Sequence, residues 1–275
     1  MDILRLAAFS NGNQGGNPAG VALLDALPDA TAMQAVAADV GYSETAFAEP
    51  LNDGFRVRYF SPMSEVPFCG HATIALGAAL ARKHGNSIFK LTLNDASITV
   101  EGKVSSDGIE AALQSPPTHS RPAEPTLLDP ALKLFGLNAD DLDEQIPPAF
   151  AHAGANHLVL FLKSRQRLRE MSYALGEGKA YMDEEKLVTV LLGHIESDQM
   201  LHTRNAFASG GVLEDPATGA ATAALAGYLR DIKWAHGNNI NIVQGEDMGS
   251  KSLIHATFTD VPGTSIRVSG TVRSL

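Results

Sequence analysis

The chain has 275 residues, 44% of them hydrophobic, and a formal net charge of −10. That is enough for one large or two medium domains with real cores, and an acidic chain without a basic stripe excludes a nucleic-acid binder, which needs clustered Lys and Arg. The single cysteine, Cys69, excludes an intrachain disulfide and fits a reducing cytosol.

Met1-Asp2-Ile3-Leu4-Arg5 lacks the charged start and apolar core of a signal peptide. The longest apolar run, Ala72 to Ala81, falls short of the roughly 20 residues that span a bilayer. A cytoplasmic protein without membrane contact is expected.

In chain order, Ile3 to Phe9 reads as a strand, Asn11 to Pro18 as a Gly/Asn loop, and Gly20 to Leu24 as a second strand. Asp29 to Val40 reads as a helix; Thr45 to Glu49 and Phe55 to Phe60 read as strands, the latter alternating apolar and basic with one wet face. Gly70 to His84 is a helix, followed by strands at Ile88 to Leu93, Ser97 to Glu101 and Gly108 to Gln114. Ser115-Pro116-Pro117 closes this block, and the stretch through Pro122 and Pro125 has linker composition. Beyond it, Asp129 to Phe135 and Arg165 to Tyr173 read as surface helices, and Asn156 to Leu162, Leu187 to Ile195 and Met200 to Phe207 as strands. Gly219 to Ile232 is a helix, and Ile240 to Gln244, Leu253 to Phe258 and Ile266 to Val272 are closing strands. Many short strands around few helices predict an α+β fold.

Two helix starts echo each other 149 residues apart: Gly70-His71-Ala72-Thr73-Ile74-Ala75-Leu76 and Gly219-Ala220-Ala221-Thr222-Ala223-Ala224-Leu225. The echo implies two lobes built alike. Both helices are apolar on every face, so each should lie inside its sheet rather than against it. Glycine and small residues at the starts leave backbone N–H groups open to an anion. Two such starts facing one cleft would make a double clamp.

Few polar residues accompany these starts. Glu44 sits where a helix hands over to a strand. A carboxyl in an apolar cleft can both take and give a proton near neutral pH; otherwise it is a cap or a solvated acid. His71 at a helix start is expected to stay neutral, because the positive dipole end disfavours imidazolium, and so to donate to a substrate oxygen; otherwise it is structural. Cys69, just before a helix start, is a possible thiolate base or a small buried residue. Asp215, ahead of Pro216 and the second start, is a cap or a site acid. His152 and His157, like His194, His202 and His236, show no metal-ligand pattern, and no metal site is expected. Gly12-Asn13-Gln14-Gly15-Gly16 lacks the strand-helix context of a dinucleotide fingerprint, so no cofactor is expected.

With these residues in place the chain resembles the PhzF-like family (phenazine biosynthesis isomerase-like), of the diaminopimelate epimerase fold superfamily. The resemblance runs through Ala8-Phe9, Gly16-Asn17-Pro18-Ala19-Gly20-Val21, Ser43-Glu44-Thr45-Ala46-Phe47, Arg58-Tyr59-Phe60-Ser61-Pro62, Pro67-Phe68-Cys69-Gly70-His71-Ala72-Thr73, Gly154-Ala155-Asn156-His157-Leu158-Val159, Arg204-Asn205-Ala206-Phe207-Ala208, Glu214-Asp215-Pro216-Ala217-Thr218-Gly219 and Gln244-Gly245. It implies two pseudo-symmetric lobes, each a bent, mostly antiparallel sheet wrapped around a central helix. The lobes are placed at 1–117, joined by a returning strand at 265–275, and at 118–264. The resemblance also implies a homodimer, Glu44 as the acid/base, and His71 and Asp215 as substrate-orienting residues. Cys69, Gly70, Ala72, Gly219 and Ala220 would then line the substrate. The implied reaction moves a proton between two carbons of a small anionic metabolite without metal, flavin or nicotinamide.

Two departures matter. The family often has serine where this chain has Ala220, and Pro216 stands near the position of the second cysteine of the related epimerases, so two-thiol epimerisation is not expected. Two alternatives stay open: a non-catalytic or regulatory small-molecule binder, and a racemase-like enzyme with Cys69 as base.

Overall fold

The computed structural model describes residues 1–234 and 237–275 and divides into two compact units, residues 1–114 with 269–275 and residues 115–268. His236 lies outside the described residues.

Unit 1 runs β1 (Leu4–Ala8), β2 (Asn17–Leu23), α1 (Ala30–Val40), β3 (Thr45–Leu51), β4 (Gly54–Phe60), β5 (Glu65–Val66), α2 (Gly70–His84), β6 (Ser87–Thr92), β7 (Ser97–Ser105) and β8 (Gly108–Gln114). Unit 2 runs β9 (His119–Pro122), α3 (Pro125–Leu134), β10 (Ala149–His152), β11 (Asn156–Phe161), α4 (Arg165–Arg169), α5 (Leu175–Glu184), β12 (Thr189–Ser197), β13 (Met200–Ala206), β14 (Glu214–Asp215), α6 (Gly219–Asp231), β15 (Asn239–Gln244) and β16 (Ser252–Thr257). The last strand, β17 (Arg267–Ser274), returns to unit 1 and pairs antiparallel with β1, Leu6 opposite Ser274.

The strands of unit 1 close on themselves. β1–β2 is antiparallel, β2–β3 parallel, β3–β4 antiparallel, β4–β6 parallel, and β6–β7–β8 antiparallel; β17 bridges β8 back to β1. Closure leaves no unpaired edge. The interior is filled by α2, which packs on β1, β2, β7 and β8 and is buried continuously from His71 to Ala81. Its small residues are a steric need: a Cβ on Gly102 of β7 would stand 2.2 Å from the carbonyl oxygen of Gly77 on α2.

Unit 2 repeats the succession. β10–β11 is antiparallel, β11–β12 parallel, β12–β13 antiparallel, β13–β15 parallel and β15–β16 antiparallel. α6 packs on β9, β10, β11 and β16, buried from Ala221 to Arg230. The echo between the two helix starts therefore has its counterpart in topology: helix, preceding short strand and following hairpin recur in the same order.

Four differences from the sequence reading have physical causes. The stretch through Pro122 and Pro125 is no linker: His119–Pro122 pairs with β10, and Pro125 opens α3, where a helix has no need of its N–H. Ser115 to Pro117 belong with unit 2, where the Ser115 amide donates to the Ile266 carbonyl at 2.8 Å and its hydroxyl accepts from the Ile266 amide at 3.0 Å. The helix at Arg165 stops at Arg169 rather than Tyr173, because the Arg204 guanidinium donates to the Arg169 carbonyl at 2.9 Å. α5 carries two glycines that hide its periodicity; one of them, Gly178, leaves room for the Tyr173 ring.

Candidate active site

The first turn of α2 is uncapped. Cys69 is its N-cap residue in extended backbone (φ −144°, ψ 119°), and its side chain makes no capping bond. The Thr73 amide is the first to close onto the helix, donating to the Cys69 carbonyl at 3.0 Å. The amides before it have no intrahelical acceptor, and the helix dipole adds positive potential there. A Cβ built on Gly70 meets nothing within 4 Å, so space lies against this end of the helix. The turn is held from behind: Thr73 Oγ1 donates to the Cys69 carbonyl at 2.7 Å, which leaves the buried Tyr59 hydroxyl to donate to Thr73 Oγ1 at 2.7 Å. Burial of Tyr59 pushes its phenol well above the usual range.

Four side chains meet at this turn. Glu44 follows the α1 C-cap Gly41 (φ 73°) and stands at the head of β3, where its carbonyl accepts from the Gly20 amide. Its Oε2 lies 3.4 Å from His71 Nε2. Ser43 Oγ is 3.3 Å from the same nitrogen, and Cys69 Sγ is 3.4 Å from His71 Nδ1. His71 is 7% exposed, Cys69 8% and the Glu44 side chain 16%, so the group is largely desolvated with the carboxylate on its wetter side. The segment leading into α2 is tied to the barrel by Glu65 on β5. Its carboxylate takes the Arg58 guanidinium in two-pronged fashion, Nε to Oε1 at 2.7 Å, which holds it below the usual carboxylate range.

Unit 2 builds its helix start by the same plan with other atoms. Thr218 is the N-cap of α6 without a side-chain capping bond. Its hydroxyl donates instead to Asp215 Oδ2. Gln244, fully buried at the end of β15, donates to the Asp215 carbonyl at 2.7 Å and accepts from the Thr218 amide at 3.2 Å. Glu214, beside Asp215, receives Arg204 in the same two-pronged way, Nε to Oε1 at 3.0 Å, with side chains only 6% and 11% exposed. Arg58–Glu65 and Arg204–Glu214 thus anchor equivalent segments, one ahead of each buried helix.

Behind Asp215 lies a buried polar row. Asp215 sits opposite Asn205, Asn205 opposite Leu191, and Thr189, two residues away on β12, opposite His157. Thr189 Oγ1 donates to Asn205 Oδ1 at 3.1 Å, so His157 must supply the proton of its 2.8 Å bond to Thr189 from Nδ1. Its Nε2 is then a bare acceptor without a partner among the described residues, in a ring with no exposed surface. Burial, with a smaller contribution from His152, pushes the imidazole down to about 3.

The structure therefore brings Glu44, Cys69, Gly70, His71 and Ala72 to one helix start in unit 1. Ala72 is fully buried, with neither side chain nor backbone exposed. Asp215, Gly219 and Ala220 form a second group at the start of α6. The sequence reading gave no role to Ser43, Tyr59, Asn205 or Gln244, although each lies in or beside a quoted motif; the signal was proximity to the two starts. Sequence-distant Glu44 joins Cys69 and His71 to place a carboxylate oxygen, a sulfur and a ring nitrogen within 4.8 Å of one another, a donor set able to hold a metal ion. His194 and His202 instead take structural partners, the Leu162 carbonyl and the Glu196 carboxylate. No described helix is long and apolar enough to cross a membrane.

Comparison with known proteins agrees with this architecture. "Uncharacterized isomerase YfhB" of Bacillus subtilis is 26% identical over 98% of this chain and 95% of its own length. The crystal structure of a phenazine biosynthesis protein of the PhzF family from Bacillus anthracis superposes with a TM-score of 0.84 at 20% identity, covering 99% of this chain and 96% of that one. A probable proline racemase from Agrobacterium radiobacter shares the fold more distantly, with a TM-score of 0.65 at 11% identity over 99% of this chain and 90% of that one. The fold is thus the diaminopimelate epimerase-like one of PhzF and proline racemase type. A family model described as "Phenazine biosynthesis-like protein" matches residues 6–273, and the chain belongs to this PhzC-PhzF family.

Proposed function

We propose that the chain is an isomerase that moves a proton between two carbons of a small carboxylate-bearing metabolite, with Glu44 as the acid/base and no cofactor. The observation that carries this reading is the placement of the Glu44 carboxylate 3.4 Å from His71 Nε2, beside an uncapped helix start with space in front of Gly70. A substrate carboxylate or carbonyl oxygen set against the first amides of α2 gains charge when a neighbouring C–H loses its proton. Those amides and a proton on His71 Nε2 stabilise that charge without reorganising. Glu44 takes the proton and returns it to another carbon of the same molecule, so no atom is gained or lost. Such a positioned base contributes about 10²–10⁴-fold.

Asp215 is kept as a substrate-orienting residue, with Gly219 and Ala220 as substrate contacts, on the strength of the family pattern. The family pattern also supports a homodimer, testable by sedimentation. The experiment is hydrogen exchange in heavy water over a panel of small unsaturated and amino carboxylic acids, read by NMR. Deuterium entering one carbon with wild-type protein, and about 10²-fold less with Glu44→Gln, supports the proposal. Binding without exchange would favour a non-catalytic binder.

One observation favours a second reading, in which Cys69 is the base. Its Sγ lies 3.4 Å from His71 Nδ1, near enough for the imidazole to take the thiol proton. Cys69→Ala retaining wild-type exchange excludes it.

A further inference from the structure

We infer that Glu44, Cys69 and His71 form a binding site for a thiophilic divalent cation of the Zn²⁺ class. A tetrahedral zinc ion takes sulfur at about 2.3 Å and nitrogen or oxygen at about 2.0–2.2 Å, which sets its donor atoms about 3.4–3.6 Å apart. Here His71 Nε2 and Glu44 Oε2 are already 3.4 Å apart, and Cys69 Sγ is 3.9 Å from the same nitrogen. All three donors lie within 4.8 Å of one another; Cys69 Sγ stands nearer His71 Nδ1, at 3.4 Å, than Nε2, so closing on an ion requires the thiol to swing toward Nε2.

The donor chemistry sets the class of ion. A thiolate with an imidazole suits Zn²⁺ or Co²⁺ and disfavours Mg²⁺ and Ca²⁺, which prefer all-oxygen ligation. The partial positive charge of the α2 start opposes any cation. Thiolate and carboxylate together bring two negative charges, which outweigh that half charge and balance the ion. Binding replaces the S–H bond with an S–metal bond and releases that proton to solvent, and the imidazole binds as the tautomer protonated at Nδ1, its Nε2 proton having moved there through solvent. Three protein ligands leave a fourth position for water, the Ser43 hydroxyl or an oxygen of a bound anion.

Metal binding stands on the geometry alone; its consequence rests on the proposed function. With the Glu44 oxygen and the His71 nitrogen engaged by the ion, neither can serve proton transfer, so zinc acts as an inhibitor.

The test is titration of the metal-free protein with Co²⁺, followed by absorbance. Cys69 is the only cysteine in the chain, so a thiolate-to-cobalt charge-transfer band can come from this site alone. Expected are one equivalent of cobalt with that band, its displacement by Zn²⁺, its loss in Cys69→Ala, and at least about tenfold weaker binding in His71→Ala and in Glu44→Gln. Circular dichroism of each variant establishes that it is folded. Absence of the band at millimolar Co²⁺ overturns the inference, and so does a band whose affinity is unchanged in both His71→Ala and Glu44→Gln. Because this readout needs no substrate, it fails or succeeds independently of the exchange experiment.

Discussion

The buried histidine of unit 2 makes stability depend on pH in a direction and window that can be worked out. His157 has a folded-state value near 3 and an ordinary unfolded-state value near 6.5. Above pH 6.5 the ring is neutral in both states and contributes no pH dependence. Between 6.5 and 3 the unfolded chain binds a proton that the folded chain refuses, so stability falls as pH falls. At 1.36 kcal/mol per pH unit, going from pH 7 to pH 5 costs about 2 kcal/mol through this one residue. The assay is urea unfolding of wild type and His157→Gln at both pH values. Comparing the two proteins removes the pH dependence they share, so the difference between their pH dependences reports on His157. Wild type should lose about 2 kcal/mol more than the variant on acidification. Equal losses, or an NMR titration of the His157 ring with a midpoint near 6.5, would refute the argument that this imidazole is held neutral with a bare Nε2.

Other consequences follow from the packing and the anchors. Gly70→Ala adds a methyl that meets no protein atom and should stabilise the fold by up to about 1 kcal/mol, seen in thermal unfolding, while weakening binding of an anion against the α2 start. Gly102→Ala forces a Cβ onto the Gly77 carbonyl and should cost about 1–3 kcal/mol in urea unfolding. Arg204→Met strands the nearly buried Glu214 and frees the carbonyl at the end of α4, a loss of about 3–5 kcal/mol. Its counterpart Arg58→Met should cost only about 1 kcal/mol, because that pair is 21% and 26% exposed. Similar losses in the two variants would contradict this use of burial.

The two helices at the centre of the units were legible because alanine and glycine on every face leave a helix no choice but the interior, and β8 was readable to its last residue from its turn signals. The reading failed where a local pattern was overruled from elsewhere in the chain. Pro122 and Pro125 looked like a linker, yet β9 is a strand because β10 supplies its partner. Arg165 to Tyr173 looked like one helix, yet Arg204, far along the sequence, takes the carbonyl that would have continued it. At the site, the residue types were visible and their grouping was not. Nothing in the spacing of Glu44 and Cys69 announces that a carboxylate and a thiol flank the same imidazole. The row His157–Thr189–Asn205 depends on strand register, which a single sequence does not display.

The most direct measurement of the central claim is the rate of solvent deuterium incorporation into a responsive carboxylic acid by wild type and by Glu44→Gln, at matched protein concentration and with folding checked by circular dichroism. The account predicts that the variant, which keeps the shape of the side chain and loses its basicity, exchanges about 10²–10⁴-fold more slowly. Exchange at the wild-type rate in Glu44→Gln would contradict it and remove Glu44 from the chemistry.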